Sequence, residues 1–343
     1  MSRVEGTTIL AEAEGVGKGE IFASKNKDEA YVLTNLDSDK TRIVLYDLAT
    51  KKIIKEVFSN PTFDVSGLNL SRKRNYEIDN FSYEGEKSEI IPVSKLYKEI
   101  YGLMEKEFPN KEAYIVDKDD NETQFLVIVQ SDKLYGTYYQ YDAKTKKFKL
   151  LYDLMPQLKE ADMAEMRPIK FTSRDGKTIY GYITLPKEAL QGKKVPLIVN
   201  PHGGPQGVRD SWGFNPETQL FASRGYATLQ VNFRISGGYG KEFLRAGFKQ
   251  IGRQLMDDVE DGVAYAIKEG WDSQRIVQHL CSSVWGFDLN PLAVQTARVN
   301  FLMEIADLLK AAPGQTLEIP VLLADAIYSP APDPIKGQNI VKY

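Results

Sequence analysis

The sequence holds one cysteine, Cys281, and two histidines, His202 and His279, in 343 residues. A single cysteine excludes an internal disulfide, and three well-separated soft ligands leave no spacing for a zinc site. Cys281 reads as a small buried apolar residue rather than a thiol nucleophile. Excess charge of one sign is missing too: a formal net charge of -3 and a pI near 5.7 give no electrostatic pull toward nucleic acid or an anionic membrane. No run approaches the ~20 apolar residues of a membrane span. The opening residues carry Glu5, Glu12 and Glu14 and do not read as a signal peptide. A cytoplasmic protein without membrane contact, metal or organic cofactor is expected, long enough for two or more domains.

Charge density divides the chain. Residues 277–343 carry ten charged side chains in 67, against 81 in the preceding 276, which predicts a boundary near 277. Residues 1–160 read as β structure. Tyr31 to Thr34, Arg42 to Tyr46 and Lys51 to Phe58 are strand-like runs, the first two separated by the turn residues Asp37 to Lys40. The segment Tyr46 to Ile53 (YDLATKKI) recurs as Tyr141 to Phe148 (YDAKTKKF), an offset of 95 residues, or about two propeller blades of 40–50 residues. Convergence on common turn chemistry is the alternative. Between the copies, Ser94 reads as the N-cap of a short helix with an apolar face of Leu96, Ile100 and Met104.

From residue 161 the pattern becomes mixed α/β. Ile169 to Thr172 and Thr178 to Leu185 flank the turn Arg174-Asp175-Gly176, while Val195 to Val199 and Ala227 to Val231 read as buried strands. Met256 to Lys268 reads as a helix with Val259, Val263 and Ile267 on one face and Asp257 and Asp258 in its first turn, favoured there by the helix dipole. The strand at Val195 to Val199 runs into Pro201-His202-Gly203-Gly204-Pro205. Adjacent glycines let the backbone approach a substrate and aim N–H groups at a developing oxyanion, as in serine hydrolases. The other half of such a site would be a serine on a Gly-x-Ser-x-Gly elbow, then an acid and a histidine. No histidine follows His279 in the sequence.

Residues Val195 to Ile276 resemble the catalytic domain of the prolyl oligopeptidase family of serine peptidases, in its acylaminoacyl-peptidase and dipeptidyl-peptidase-like branch. The resemblance rests on Asn200 to Pro205 (NPHGGP), Phe221 to Tyr226 (FASRGY), Asn232-Phe233-Arg234 with Ser236 to Gly240 (SGGYG), and Asp257-Asp258-Val259. It implies a β-propeller in front of an α/β-hydrolase domain that cleaves short peptides or acyl-peptides without a cofactor. His202, Gly203 and Gly204 would then shape an oxyanion hole. The family nucleophile would fall at Ser282, within Leu280-Cys281-Ser282-Ser283-Val284, where both elbow glycines are replaced by bulky apolar residues, Leu280 and Val284, and Ile235 stands where the family has Gly. A complete propeller of that family needs six to eight blades, whereas residues 1–160 supply three or four. Open sheet edges make self-association an expectation.

The tail, Val284 to Val294 with the following helix stripe Ala297, Phe301, Ile305 and Leu308 and the run Ile319 to Tyr328, resembles part of an S-adenosylmethionine-dependent adenine DNA methyltransferase. That resemblance implies cofactor contacts from Asp288 and Asp325 at strand ends. A generic strand-helix-strand unit reads equally from the residues. The glycine-rich loop and the Asn-Pro-Pro-aromatic motif of that family are missing. Ser236 to Gly240 lacks the lysine of a phosphate-binding loop.

The expected architecture is β plus α/β. A partial propeller (1–160) precedes the N-terminal half of an α/β-hydrolase domain (161–276), and a Rossmann-like tail (277–343) continues the sheet from 195 to 324. The expected function is a prolyl oligopeptidase-type serine peptidase, truncated or fused before its nucleophile and inactive as it stands. A binding-only remnant or a methyltransferase fragment is the alternative.

Overall fold

The computed structural model describes residues 19–204 and 206–267, together with 286–288, 321–323 and residues 301, 305, 306 and 310. The chain divides into two compact units, Met1–Ala266 and Ile267–Tyr343, so the division precedes the compositional shift expected at 277.

The first unit opens with an antiparallel meander of β1 (Gly19–Ala23), β2 (Glu29–Thr34), β3 (Arg42–Asp47) and β4 (Lys52–Phe58). A three-stranded sheet follows, β5 (Val65–Ser71), β6 (Glu77–Glu84) and β7 (Ser88–Pro92). Helix α1 (Lys95–Glu107) leads to a second four-stranded meander of β8 (Glu112–Lys118), β9 (Gln124–Gln130), β10 (Thr137–Asp142) and β11 (Lys147–Asp153). The repeated sequence occupies the same place in both four-stranded sheets, the hairpin between third and fourth strands. In each, the aspartate caps the turn: Asp47 Oδ1 accepts from Ala49 and Thr50 N–H, and Asp142 Oδ1 from Lys144 and Thr145 N–H. Lys51 and Lys146 both stand at φ 56°. Turn chemistry and sheet position therefore repeat together.

Ser94 caps α1, its hydroxyl accepting from Tyr97 N–H at 3.3 Å. The buried stripe is Tyr97, Ile100 and Met104, packed on Phe125, Val127 and Tyr141 of the second meander. Tyr97 thus takes the position expected of Leu96, which is only partly buried, because the sheet lies against the face one residue further round.

The second part of this unit comprises β12 (Glu165–Thr172), β13 (Thr178–Leu185), α2 (Lys187–Leu190), β14 (Leu197–Val199), α3 (Pro216–Ser223), β15 (Ala227–Asn232), α4 (Lys241–Arg245) and α5 (Gln254–Ile267). Its sheet runs β12-β13-β15-β14, antiparallel except for the parallel pair β14–β15. The parallel crossover carries α3 between β14 and β15. Alternation along β15 sends Leu229 and Val231 into a core with Ile179, Leu255 and Val259, and turns the polar Thr228, Gln230 and Asn232 to the opposite face. All six residues of β15 are buried.

The first meander is fastened to this part through one turn. Asp39 accepts the N–H groups of Lys241 and Glu242 at 3.0 and 2.7 Å, and Lys40 Nζ donates to the Tyr239 carbonyl at 2.6 Å.

In the second unit, β16 (Gly286–Asp288) and β17 (Val321–Leu323) pair in parallel, with Asp288 opposite Leu323. Among the described residues β16 and β17 pair with each other, and the strands that would test a continuous sheet from 195 to 324 lie largely outside those residues. Most of the expected helix at 291–310, together with Ser282 and Asp325, lies outside the described residues.

Candidate functional site

The chain leaves the end of β14 through Asn200, whose N–H still donates to Leu229 O of β15 at 2.8 Å, and then turns through His202, Gly203 and Gly204. The turn sits at the carboxyl end of the parallel pair, where α/β sheets place their sites. Gly204 has φ +85°, and a Cβ on it would lie 2.8 Å from Val208 Cγ2, so glycine is required there twice over. A Cβ on Gly203 would meet nothing within 4 Å. Both glycines are exposed, and among the described residues neither N–H has an acceptor. These are the properties of a turn that can present amide donors to an incoming oxygen.

His202 does not act as a base here. Its ring stacks on Phe233 with centroids 4.5 Å apart, and Nε2 lies 2.8 Å from Ser236 Oγ. Ser236 spends its own hydrogen on the Phe233 carbonyl at 2.7 Å, so its oxygen accepts from His202 Nε2–H. Nδ1 lies 3.3 Å from the Gly203 carbonyl, which can only accept, but burial outweighs this contact and holds the imidazole below the ordinary histidine value. Ser236 is 1% exposed and already donating, which excludes it as a nucleophile. This serine–histidine contact joins residues 34 apart, and no local pattern announced it.

The segment beyond the turn is bound to the loop after β15. Gly207 N–H donates to Ile235 O and Gly237 N–H to Val208 O, both at 3.1 Å. A Cβ on Gly237 would lie 2.3 Å from Gly207 O, so the close approach depends on that glycine. Ile235 stands at φ 85°. That is a glycine conformation held by a β-branched residue, strained by about 1–3 kcal/mol and tolerated because the side chain is buried in the core. Arg234 beside it is clamped by Asp258, Asp175 and Gln254. Asp258, expected to serve the helix dipole, serves this buried pair instead.

Asp288 ends β16, and among the described residues nothing beyond its pairing with Leu323 marks it as a cofactor contact. No cluster of three metal-ligating side chains occurs among the described residues.

A glycine turn thus stands at the end of a parallel strand pair, in a sheet preceded in the chain by antiparallel meanders. Comparison with known proteins finds partial likenesses to one family. Residues 212–279 match the prolyl oligopeptidase family. Dipeptidyl aminopeptidase BIII of Pseudoxanthomonas mexicana is 38% identical over 156 residues, 44% of this chain and 22% of that protein. Dipeptidyl peptidase family member 6 of Caenorhabditis elegans is 32% identical over 189 residues, 49% of this chain and 25% of that protein. Among solved structures, prolyl oligopeptidase B of Galerina marginata bound to a 35mer substrate superposes with a TM-score of 0.57 at 18% identity, covering 74% of this chain and 35% of that one. The chain is thus prolyl oligopeptidase-like in part of its sequence and in its fold, and spans about a quarter of the length of these two curated relatives.

Proposed function

We propose that residues 195–266 are the oxyanion-side portion of a prolyl oligopeptidase-type serine peptidase domain acting on short peptides or acyl-peptides, and that the chain as it stands does not turn them over. The observation that carries the reading is the Gly203–Gly204 turn at the end of β14, where neither amide has an acceptor among the described residues and burial holds the neighbouring His202 below the ordinary histidine value. Relatives named as dipeptidyl peptidases support the substrate class. The reading of no turnover is supported by the replacement of both elbow glycines around Ser282, by Leu280 and Val284. The full chain should neither label with a fluorophosphonate probe nor release chromophore from aminoacyl or peptidyl substrates above background. Labelling that disappears in Ser282→Ala would sink the inactivity claim and leave the family assignment standing.

Self-association through sheet edges is supported by the outermost strand β11, where Leu150, Leu151 and Tyr152 are 57%, 48% and 62% exposed. Sedimentation of wild type against Leu150→Lys tests it. The reading of the tail as a methyltransferase-type crossover is supported by the parallel β16–β17 pair with Asp288 at a strand end. Calorimetry should give no S-adenosylmethionine binding tighter than ~1 mM, about -4 kcal/mol.

A further inference from the structure

The polar face of β15 presents an unusual pair to the segment that leaves the turn after β14. Gln230 is 4% exposed, and its Nε2 donates to Asp210 Oδ1 at 2.7 Å. The two remaining oxygens of this pair, Gln230 Oε1 and Asp210 Oδ2, are both buried and both without a hydrogen-bond partner. Two orphaned acceptors belonging to one amide–carboxyl contact are costly if the carboxyl is ionised, since each forfeits its water without recompense. A single proton resolves both. A carboxylic acid and a primary amide close an eight-membered ring of two hydrogen bonds, amide N–H to the acid carbonyl oxygen and acid O–H to the amide oxygen.

We infer that Asp210 is held as the neutral acid, its Oδ2–H donating to Gln230 Oε1, and that this closed pair is a pH-sensitive clamp on the segment following the Gly203–Gly204 turn. The clamp is extended by the backbone: Asp210 N–H donates to Asn232 Oδ1 at 2.7 Å, and Asn232 Nδ2 donates back to Asp210 O at 2.9 Å and to Tyr239 Oη at 2.8 Å. Strand β15 therefore grips residue 210 through two successive inward side chains, Gln230 and Asn232.

The ionisable groups gathered about this segment are Arg209 on the same loop, Tyr182 of β13, Tyr239 before α4, and Glu84 and Lys87 at the β6–β7 turn. Arg209, the cation next in the chain, spends its donors on the carbonyls of Glu84, Gly85 and Asp210 and on Tyr182 Oη, not on the Asp210 carboxyl. Lys87 lies over the Trp212 ring. Burial then dominates, and the Asp210 carboxyl is pushed up to about 6. Protonation in the folded state exceeds that in the unfolded state between roughly pH 4 and 6, so the stabilisation is complete below the unfolded value and is lost as pH rises through about 6.

The test is a pH series of folding equilibria for the full chain and for Asp210→Asn, whose amide donates to Gln230 Oε1 at every pH. From pH 4 to pH 8 the wild-type folding constant should fall by roughly a hundredfold relative to the variant, as a shift of about two units requires, leaving the asparagine form the more stable at pH 8. Parallel pH profiles, or an asparagine form that is the less stable at pH 8, overturn the inference. Infrared spectra of the chain carrying carboxyl-labelled aspartate at pH 5 give a second reading that does not depend on stability. A protonated carboxyl band lost in Asp210→Asn supports the closed pair, and its absence from the wild type refutes it.

Discussion

Arg234 and Asp258 meet with side chains 2% and 0% exposed, the guanidinium donating through Nη2 to Oδ1 at 2.6 Å and through Nε to Oδ2 at 2.8 Å. The Arg234 N–H donates to the same carboxylate at 2.8 Å. Arg234, two residues past the end of β15, is thereby fastened to the second turn of α5, next to the strained Ile235.

Removing one partner of this pair leaves an uncompensated charge in the interior. Asp258→Asn should cost about 3–5 kcal/mol in urea unfolding. Asp261→Asn, which breaks only the half-exposed contact with Arg174, should cost less than about 1 kcal/mol. Equal losses would show that burial does not set the difference.

The glycines of the turn after β14 should separate by backbone geometry. Gly203→Ala is expected to leave thermal stability unchanged, since its Cβ meets open space. Gly204→Ala forces an L-residue to φ +85° against Val208 and should cost about 1–2 kcal/mol.

Gly181 lies in β13 where an added Cβ would sit 2.3 Å from Gln230 O of the paired strand. Neither backbone can withdraw without breaking the β13–β15 ladder. Gly181→Ala should therefore lose about 1–3 kcal/mol, read by chemical unfolding, and a neutral result would mean that the two strands lie further apart than described.

The exposed turn residues Lys51 and Lys146 share a left-handed backbone that glycine adopts without strain. Lys51→Gly should gain about 0.5–1 kcal/mol. Lys146→Gly should gain less, because it also gives up an ion pair with Glu99.

His202 titrates below the ordinary histidine value because its ring is buried on Phe233. The unfolded chain takes up the proton first, so the stability contributed by this neutral histidine is full above roughly pH 6.5 and falls as pH drops through the folded value. Proton NMR of the imidazole in the full chain should give a midpoint below that of a model peptide. A midpoint above it would mean that Ser236 accepts from a charged ring.

Local chemistry was legible wherever it acts over a few residues. Asp47 and Asp142 capping their turns, Ser94 capping α1, the span Thr178–Leu185 and the glycine turn at 203–204 all follow from residue type and spacing. The polar partners were not legible. His202 with Ser236, Arg234 with Asp258, and Asp210 with Gln230 lie 20 or more residues apart in the chain, and side chains of those types usually face water. Sequence alone fixed which backbone conformations are affordable at each turn, because a missing Cβ or a short capping side chain acts within its own segment. Only the tertiary structure decided which polar groups lose their water together, because that depends on how β15 is covered by α5 on one face and by the loop of residues 206–212 on the other.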